Sequence, residues 1–299
     1  MTAPTTTPQL SIIIVNFNGG ELVLEAVQRA LAATLPVEVR VADNASQDGS
    51  AEQLQTLAAQ HPTLRLTRHP RNLGFAAASN RELAAARGDW LLLLNPDCLL
   101  APDTPAHLIA ALTADPSAGM AGCLLLTPDG SEQRGCRRTL PTLGSSLGWG
   151  LRLERIRRQL RPHAQPLNLH QQPLPPEPHH VEAISGALML LRRQAWQQVG
   201  PLDEGYFLHC EDLDWCRRFA DHGWKILFLP NHQITHHQGT CSAARPLRVE
   251  WHKHRGMARY YRKFLATEQS ALGRSIVHLG IWTRFSAVAL RHLITRRRK

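Results

Sequence analysis

Three short apolar runs, SIIIV (11–15), VRVA (39–42) and WLLLL (90–94), each lead directly into acids or amides: Asn16 and Asn18, Asp43 and Asn44, Asn95 and Asp97. Runs this apolar suit strands covered on both faces, as in a parallel sheet. The stretches between them have helical period. Leu22, Val23, Ala26, Val27, Ala30 and Leu31 recur at i, i+3 and i+4 within 21–35, a second helix is expected over 50–60, and the Ala-rich segment 72–88 closes on Gly88. With a short strand at 64–67, this alternation makes a right-handed parallel α/β sheet the default. Such sheets bind ligands beyond the carboxyl ends of their strands, which is where Asn18, Asp43 and Asp97 are delivered.

The pattern changes after Asp97. A helix is expected over 102–115 and a strand over 119–126. Residues 137–180 are rich in Arg, Pro, Gln and His and form the least regular stretch, with a short basic helix expected at 150–160. A strand at 181–193 precedes a helix from Gln194. The segment FLHCEDLDWCRR (207–218) then places Glu211, Asp212 and Asp214 at the start of another helix, and strands follow at 225–229 and 234–240. From Arg245 the chain is basic and helical in pattern. Within 275–294, Arg284 and Arg291 share a face, with Trp282 and Phe285 elsewhere. A charge at the centre of a lone span costs about 3 kcal/mol. The two readings left are an interfacial helix on anionic lipid and a helix packed on the domain.

The chain has 299 residues, 43% apolar, enough for a full core, and a net charge of +10. The excess is confined to 130–163 and the tail. Anionic partners fit this: nucleic acid, lipid headgroups or a phosphorylated substrate. A single-strand nucleic-acid binder would interleave aromatics with its basic residues, and aromatic content is 6%. The first strand is not followed by GxGxxG, against a dinucleotide oxidoreductase. The six cysteines show no CxxC spacing and read as reduced thiols in a cytosolic protein. MTAPTTTPQL has neither a basic nor an apolar leader region, so no signal peptide is expected.

Taken together, VNFN, VADNASQDGS, NLGFAAASN, NPD, ISGALML and the ED-x-D-x-x-x-R segment follow the order found in family 2 glycosyltransferases. The resemblance covers roughly residues 10–242 and is nearest in look to the bacterial rhamnosyltransferase-like branch. It implies a GT-A fold, a mostly parallel, Rossmann-like α/β sheet with flanking helices, here followed by a basic helical tail. The expected division is a nucleotide-sugar half (1–98), an acceptor-binding and catalytic half (99–242) and a tail (243–299) that can attach to a membrane surface. It implies an inverting enzyme that moves a sugar, rhamnose on the branch likeness, from a dTDP- or UDP-sugar to a lipid-linked or cell-surface glycan. The expected location is the cytoplasm, on the inner face of the cell membrane, with no nucleic-acid partner.

The resemblance also assigns residues. Asp43 would bond the nucleobase, with Val15, Asn16 and Asn18 beneath it and Asn72 and Asn80 lining the pocket. Asn95 and Asp97 stand at the DxD position, Asn95 toward the ribose and Asp97 on Mg²⁺ or Mn²⁺. His236 is a further metal ligand, with His237 as its alternative, because only one of two successive strand residues faces the site. Asp212 would be the catalytic base and Glu211 its or the acceptor's orienting partner. Read from the residues alone, Asp48 and Ser50 suit a turn and helix cap, and Asp214 with Arg218 an i,i+4 ion pair. A sugar-phosphate nucleotidyltransferase is the alternative function; its expected basic loop after the first strand is here Asn18-Gly19-Gly20-Glu21, without Lys or Arg.

Overall fold

A computed structural model describes residues 7–142, 166–238, 246–267 and 269–296. The helix expected at 150–160 and the end of the strand expected at 234–240 lie outside these residues.

The first hundred residues alternate as the apolar runs require: β1 (Leu10–Asn16), α1 (Gly20–Leu31), β2 (Val37–Asp43), α2 (Ser50–Gln60), β3 (Leu64–Arg68), α3 (Phe75–Ala85) and β4 (Trp90–Leu94). They form a parallel sheet in the order β3-β2-β1-β4, with Asn16 opposite Asp43. Every residue of β1 is buried, since helices cover both faces of the sheet. The helix expected over 72–88 is shorter, and Gly88 does not stop it. A Cβ at Gly88 would lie 2.5 Å from the Ser11 amide nitrogen, so this glycine lets the chain press against β1.

The second half comprises β5 (Cys98–Leu99), α4 (Thr104–Ala114), β6 (Ala118–Leu126), β7 (Arg137–Arg138), β8 (His179–Val181), β9 (Ala183–Ile184), β10 (Leu188–Arg192), α5 (Arg193–Val199), α6 (Glu211–Asp221) and β11 (Lys225–His236). The sheet continues β4-β10-β6-β11-β5, with β10 antiparallel to both its neighbours and β8 alongside β11. The strand expected at 181–193 falls into the end of β8, then β9 and β10 broken apart at Ser185–Ala187, and β9 pairs with β7 in a separate ribbon. The strands expected at 225–229 and 234–240 are one. Pro230 has no N–H to give the ladder, and β11 passes it through a register shift between Leu229 and Gln233.

Two long helices close the described chain, α7 (Pro246–Phe264) and α8 (Ala271–Arg296). Arg259 and Lys263 of α7 hold Asp203, and Lys263 also reaches Asp214 at 2.6 Å. The α8 helix packs back on α7: Val277 joins a cluster with Tyr261 and Ala266, and Phe285 lies edge-on to His254. The packed reading of the tail holds for part of α8. It packs through one face, while Leu272, Ile276, Leu279, Leu290, Leu293 and Ile294 stand exposed on others. Among the described residues no helix is long and apolar enough to cross a membrane.

Candidate active site

Pairing of β1 with β2 sets Asn16 beside Asp43 at the carboxyl edge. The Asn16 amide nitrogen donates to Asp43 Oδ1 (2.9 Å), Ser46 Oγ (3.1 Å) and Ser50 Oγ (2.9 Å), and its oxygen accepts from Gly19 N–H. Asp43 Oδ2 accepts from Ser46 N–H. Asp43 is therefore buried and held by its own loop. Asn18, in the left-handed region at φ 54°, accepts from Gln47 N–H, a conformation an asparagine tolerates. Asp48 bonds Ser50 and the Gly20 N–H, tying the loop to the start of α1. Val15, Ala42, Ala78 and Phe75 make an apolar cluster at this same edge.

Asn72 and Asn80 have local work to do. Asn72 Oδ1 accepts from Gly74 N–H in a turn, and Gly74 has φ 87° with Phe207 O 2.6 Å from where a Cβ would be. Asn80 bonds both backbone groups of Leu202 and the Glu204 carboxylate, joining α3 to the loop ahead of α6. Asn44, for which the sequence suggests no role, ties its loop to Leu73 and Gly74 through both ends of its amide.

Asp97 and His236 meet where β5 pairs with the end of β11, His236 opposite Cys98. Asp97 Oδ1 lies 3.0 Å from His236 Nε2, and both residues are buried. His236 therefore faces the site, and the backbone N–H of His237 bonds Asp97 O. Gln133 was also missed: its Oε1 is 2.5 Å from His236 Nδ1. In the tautomer with Nδ1 as donor, Gln133 Oε1 accepts from it and Nε2 is left facing Asp97 Oδ1, two acceptors that a bound cation would satisfy together. Asn95 Nδ2 is 3.5 Å from the same nitrogen. Carboxylate oxygen, imidazole nitrogen and a neighbouring amide fit a divalent cation such as Mn²⁺. Cys98 Sγ is also within reach, but burial and the Asp97 charge push its thiol well above the usual range, leaving it a protonated, poor ligand.

The acid pair opens α6. Asp212 Oδ2 accepts from Arg138 Nη2 and, at 3.2 Å, from Gly186 N–H, while Oδ1 accepts from Leu213 N–H at 2.8 Å. Burial alone would raise the Asp212 carboxyl; the Arg138 charge and these hydrogen bonds outweigh it and hold the group below its usual range. Glu211 shifts the other way, raised by burial and by the adjacent Asp212 charge, and its Oε2 has no partner among the described residues. Asp214 makes the expected pair with Arg218 at 2.7 Å. Arg137 and Arg138, part of the basic stretch for which the sequence suggests an anionic partner, are largely inside: Arg137 is 2% exposed and bonds Glu132.

The two centres adjoin through Ser185–Ala187. Gly186 N–H binds Asp212, and the next carbonyl, Ala187 O, accepts from Asn95 N–H at 2.9 Å. The family model for Glycosyl transferase family 2 matches residues 11–194. The chain belongs to that family. An N-acetylglucosaminyl-diphospho-decaprenol L-rhamnosyltransferase of Mycobacterium tuberculosis is 30% identical over 97% of this chain and 94% of its own length. Rhamnosyltransferase WbbL of Escherichia coli is 24% identical over 56% of this chain and 60% of its own. Among solved structures, the mannosyltransferase PcManGT from Pyrobaculum calidifontis, in complex with GDP-Man and Mn²⁺, superposes with TM-score 0.58 at 19% identity, over 96% of this chain and 76% of that one. S. aureus TarS in complex with UDP-GlcNAc gives 0.56 at 14% identity, over 92% and 72%. These structures share the fold, and the glycosyltransferase is of the GT-A type. Family membership does not favour the nucleotidyltransferase alternative.

Proposed function

We propose that this glycosyltransferase moves rhamnose, with inversion, from dTDP-rhamnose to a hydroxyl of an N-acetylglucosamine carried on a polyprenyl diphosphate. The observation that carries the reading is the Gly186–Ala187 junction, which ties the strand-end segment carrying the carboxylate–imidazole pair to a second carboxylate, Asp212. The likeness to the mycobacterial enzyme along nearly its whole length supports the choice of sugar and acceptor. The charge concentrated in the tail supports an anionic lipid partner.

In this reading residues 1–98 hold the nucleotide, 99–242 supply base and acceptor site, and 243–299 rest on the membrane, on the cytoplasmic side. Asp43 and Asn16 receive the nucleobase above the Val15 cluster, with Asn18 and Asn72 bordering it, Asn80 fixing the wall behind and Asn95 toward the ribose. Asp97 and His236 would hold Mg²⁺ or Mn²⁺, which neutralises charge on the leaving diphosphate. The acceptor hydroxyl attacks the anomeric carbon and passes its proton to Asp212. The bond from that carbon to the diphosphate oxygen breaks, and its electron pair leaves with the nucleoside diphosphate. Glu211, whose burial and the neighbouring Asp212 charge favour the neutral carboxyl, orients the acceptor.

The test is nucleoside diphosphate release by purified protein across a panel of nucleotide sugars, with polyprenyl diphosphate N-acetylglucosamine as acceptor and Mn²⁺ present. Release with dTDP-rhamnose, dependent on acceptor, is expected. Turnover with another donor and none with dTDP-rhamnose would reject the sugar assignment.

A further inference from the structure

Arg138 comes from the basic stretch that the sequence offers to an anionic partner, yet its side chain is 13% exposed and lies against Asp212. It arrives there because β7 pairs with β9, Arg138 opposite Ala183. Its Nη2 also donates to Ile184 O at 2.6 Å, which fixes the guanidinium plane, while Nε is covered and has no partner among the described residues. The opposite wall is Gly186, where a Cβ would stand 3.1 Å from Asp212 Cβ. Arg138 and the Gly186 N–H both occupy Oδ2, and Oδ1 has one backbone donor and a lone pair to spare.

We propose that Arg138 is the positioning residue of the base: it clamps Asp212 through Oδ2 so that Oδ1 is the oxygen offered to the acceptor hydroxyl. The inference rests on Asp212 as base in the reading above. It goes further by making the base a two-residue unit assembled from β7 and α6. The other charged and titratable groups around Asp212 are Glu211 and Asp214 on its own helix, His209 and Cys210 before it, Cys216 one turn on, and Lys253 and Glu250 from α7. Asp214 is bound by Arg218 and Lys263, and Lys253 lies 3.6 Å from Glu250. Arg138 is the cation in direct contact with Asp212 among the described residues. A purely structural arginine would join β7 to α6 without governing how the carboxyl titrates.

The first readout needs no substrate. Carbon-13 NMR of carboxyl-labelled protein, with Asp212 assigned by its loss in Asp212→Asn, follows that carboxyl through acid titration. Removing a cation in direct contact moves a carboxylate midpoint up by about 1–3 pH units. Arg138→Met should show that rise, and Arg138→Lys, which keeps the charge, much less of it. The second readout is kinetic: Arg138→Met should lower kcat roughly 100-fold through misplacement of the base, leave donor KM nearly unchanged, and move the acid limb of the pH profile upward. Arg138→Lys keeps the fold if Met does not, and should hold the limb near its wild-type position while losing part of kcat. An unmoved Asp212 midpoint, or a change confined to donor KM, overturns the proposal. A midpoint that moves while the acid limb stays rejects Asp212 as the base instead, which separates failure of the functional reading from failure of the pairing.

Discussion

Asp212 and Glu211 are neighbours in sequence with opposite electrostatic fates, and the difference follows from their partners. Asp212 has a guanidinium and two backbone N–H groups; Glu211 has burial and an adjacent negative charge. Asp212→Asn preserves shape and removes the proton acceptor. Loss of base catalysis costs about 100- to 10,000-fold in kcat, with little change in donor affinity by calorimetry. Glu211→Gln should cost less. A near-normal rate for Asp212→Asn would reverse the assignment within the pair. Gln133 carries a second residue-scale expectation. Losing an outer partner of a metal-bound histidine typically weakens the metal 10- to 100-fold. Gln133→Leu should thus lower Mn²⁺ affinity by about that factor in calorimetry with dTDP, and unchanged affinity would leave Gln133 a packing residue. Neither Gln133 nor Arg138 was legible in the sequence. Gln133 is 103 residues from His236 and Arg138 is 74 from Asp212, and pairing over such distances leaves no local period. Asp43, Asp97 and the acid pair could be read because each adjoins the element that positions it.

At the scale of elements, β1 to β4 were readable for the same reason. Strand, helix and turn signals lie within a few residues of one another, and parallel connection is their default. The antiparallel insertion of β10 between β4 and β6 was not readable, since it is decided by which sheet edge remains open. The bulge at Pro230 was misread as a strand end. The α7 helix carries the prediction at this scale. Its Arg259 and Lys263 hold Asp203; burial would raise that carboxyl, but these cations bring it down to about 2. A lowered folded-state pKa stabilises the fold above the unfolded value, near 4, and the contribution is lost as pH falls through about 2. Asp203→Asn should cost about 1–2 kcal/mol in urea unfolding at neutral pH. The difference from wild type should vanish on acidification. A difference that persists in acid would show that the ion pairs do not carry it.

For the whole molecule, α8 is apolar on more than one face, and α7 covers only part of it. The exposed aliphatics, with Arg274, Arg284 and Arg291 on the same helix and no acid after Glu268, suit an anionic bilayer surface. Sedimentation with phosphatidylglycerol vesicles should be strong at low salt and weaker at high salt, as screening requires. Replacing Ile276, Leu279 and Leu290 with Glu should abolish it. Absence of binding at low salt would leave α8 a packing helix. The same hairpin also supports the catalytic turn. His209 and Cys210 take consecutive positive φ values, 68° and 73°, just before Asp212, and each such conformation is strained by about 1–3 kcal/mol. At Gly256 of α7 a Cβ would be 2.8 Å from His209 O, so the helix rests its backbone on that turn. Ending the chain between α7 and α8 would shed the greasy helix and lay bare Tyr261 and Ala266, against which Val277 packs, whereas ending it before Pro246 would also remove the brace beneath the turn that carries Asp212.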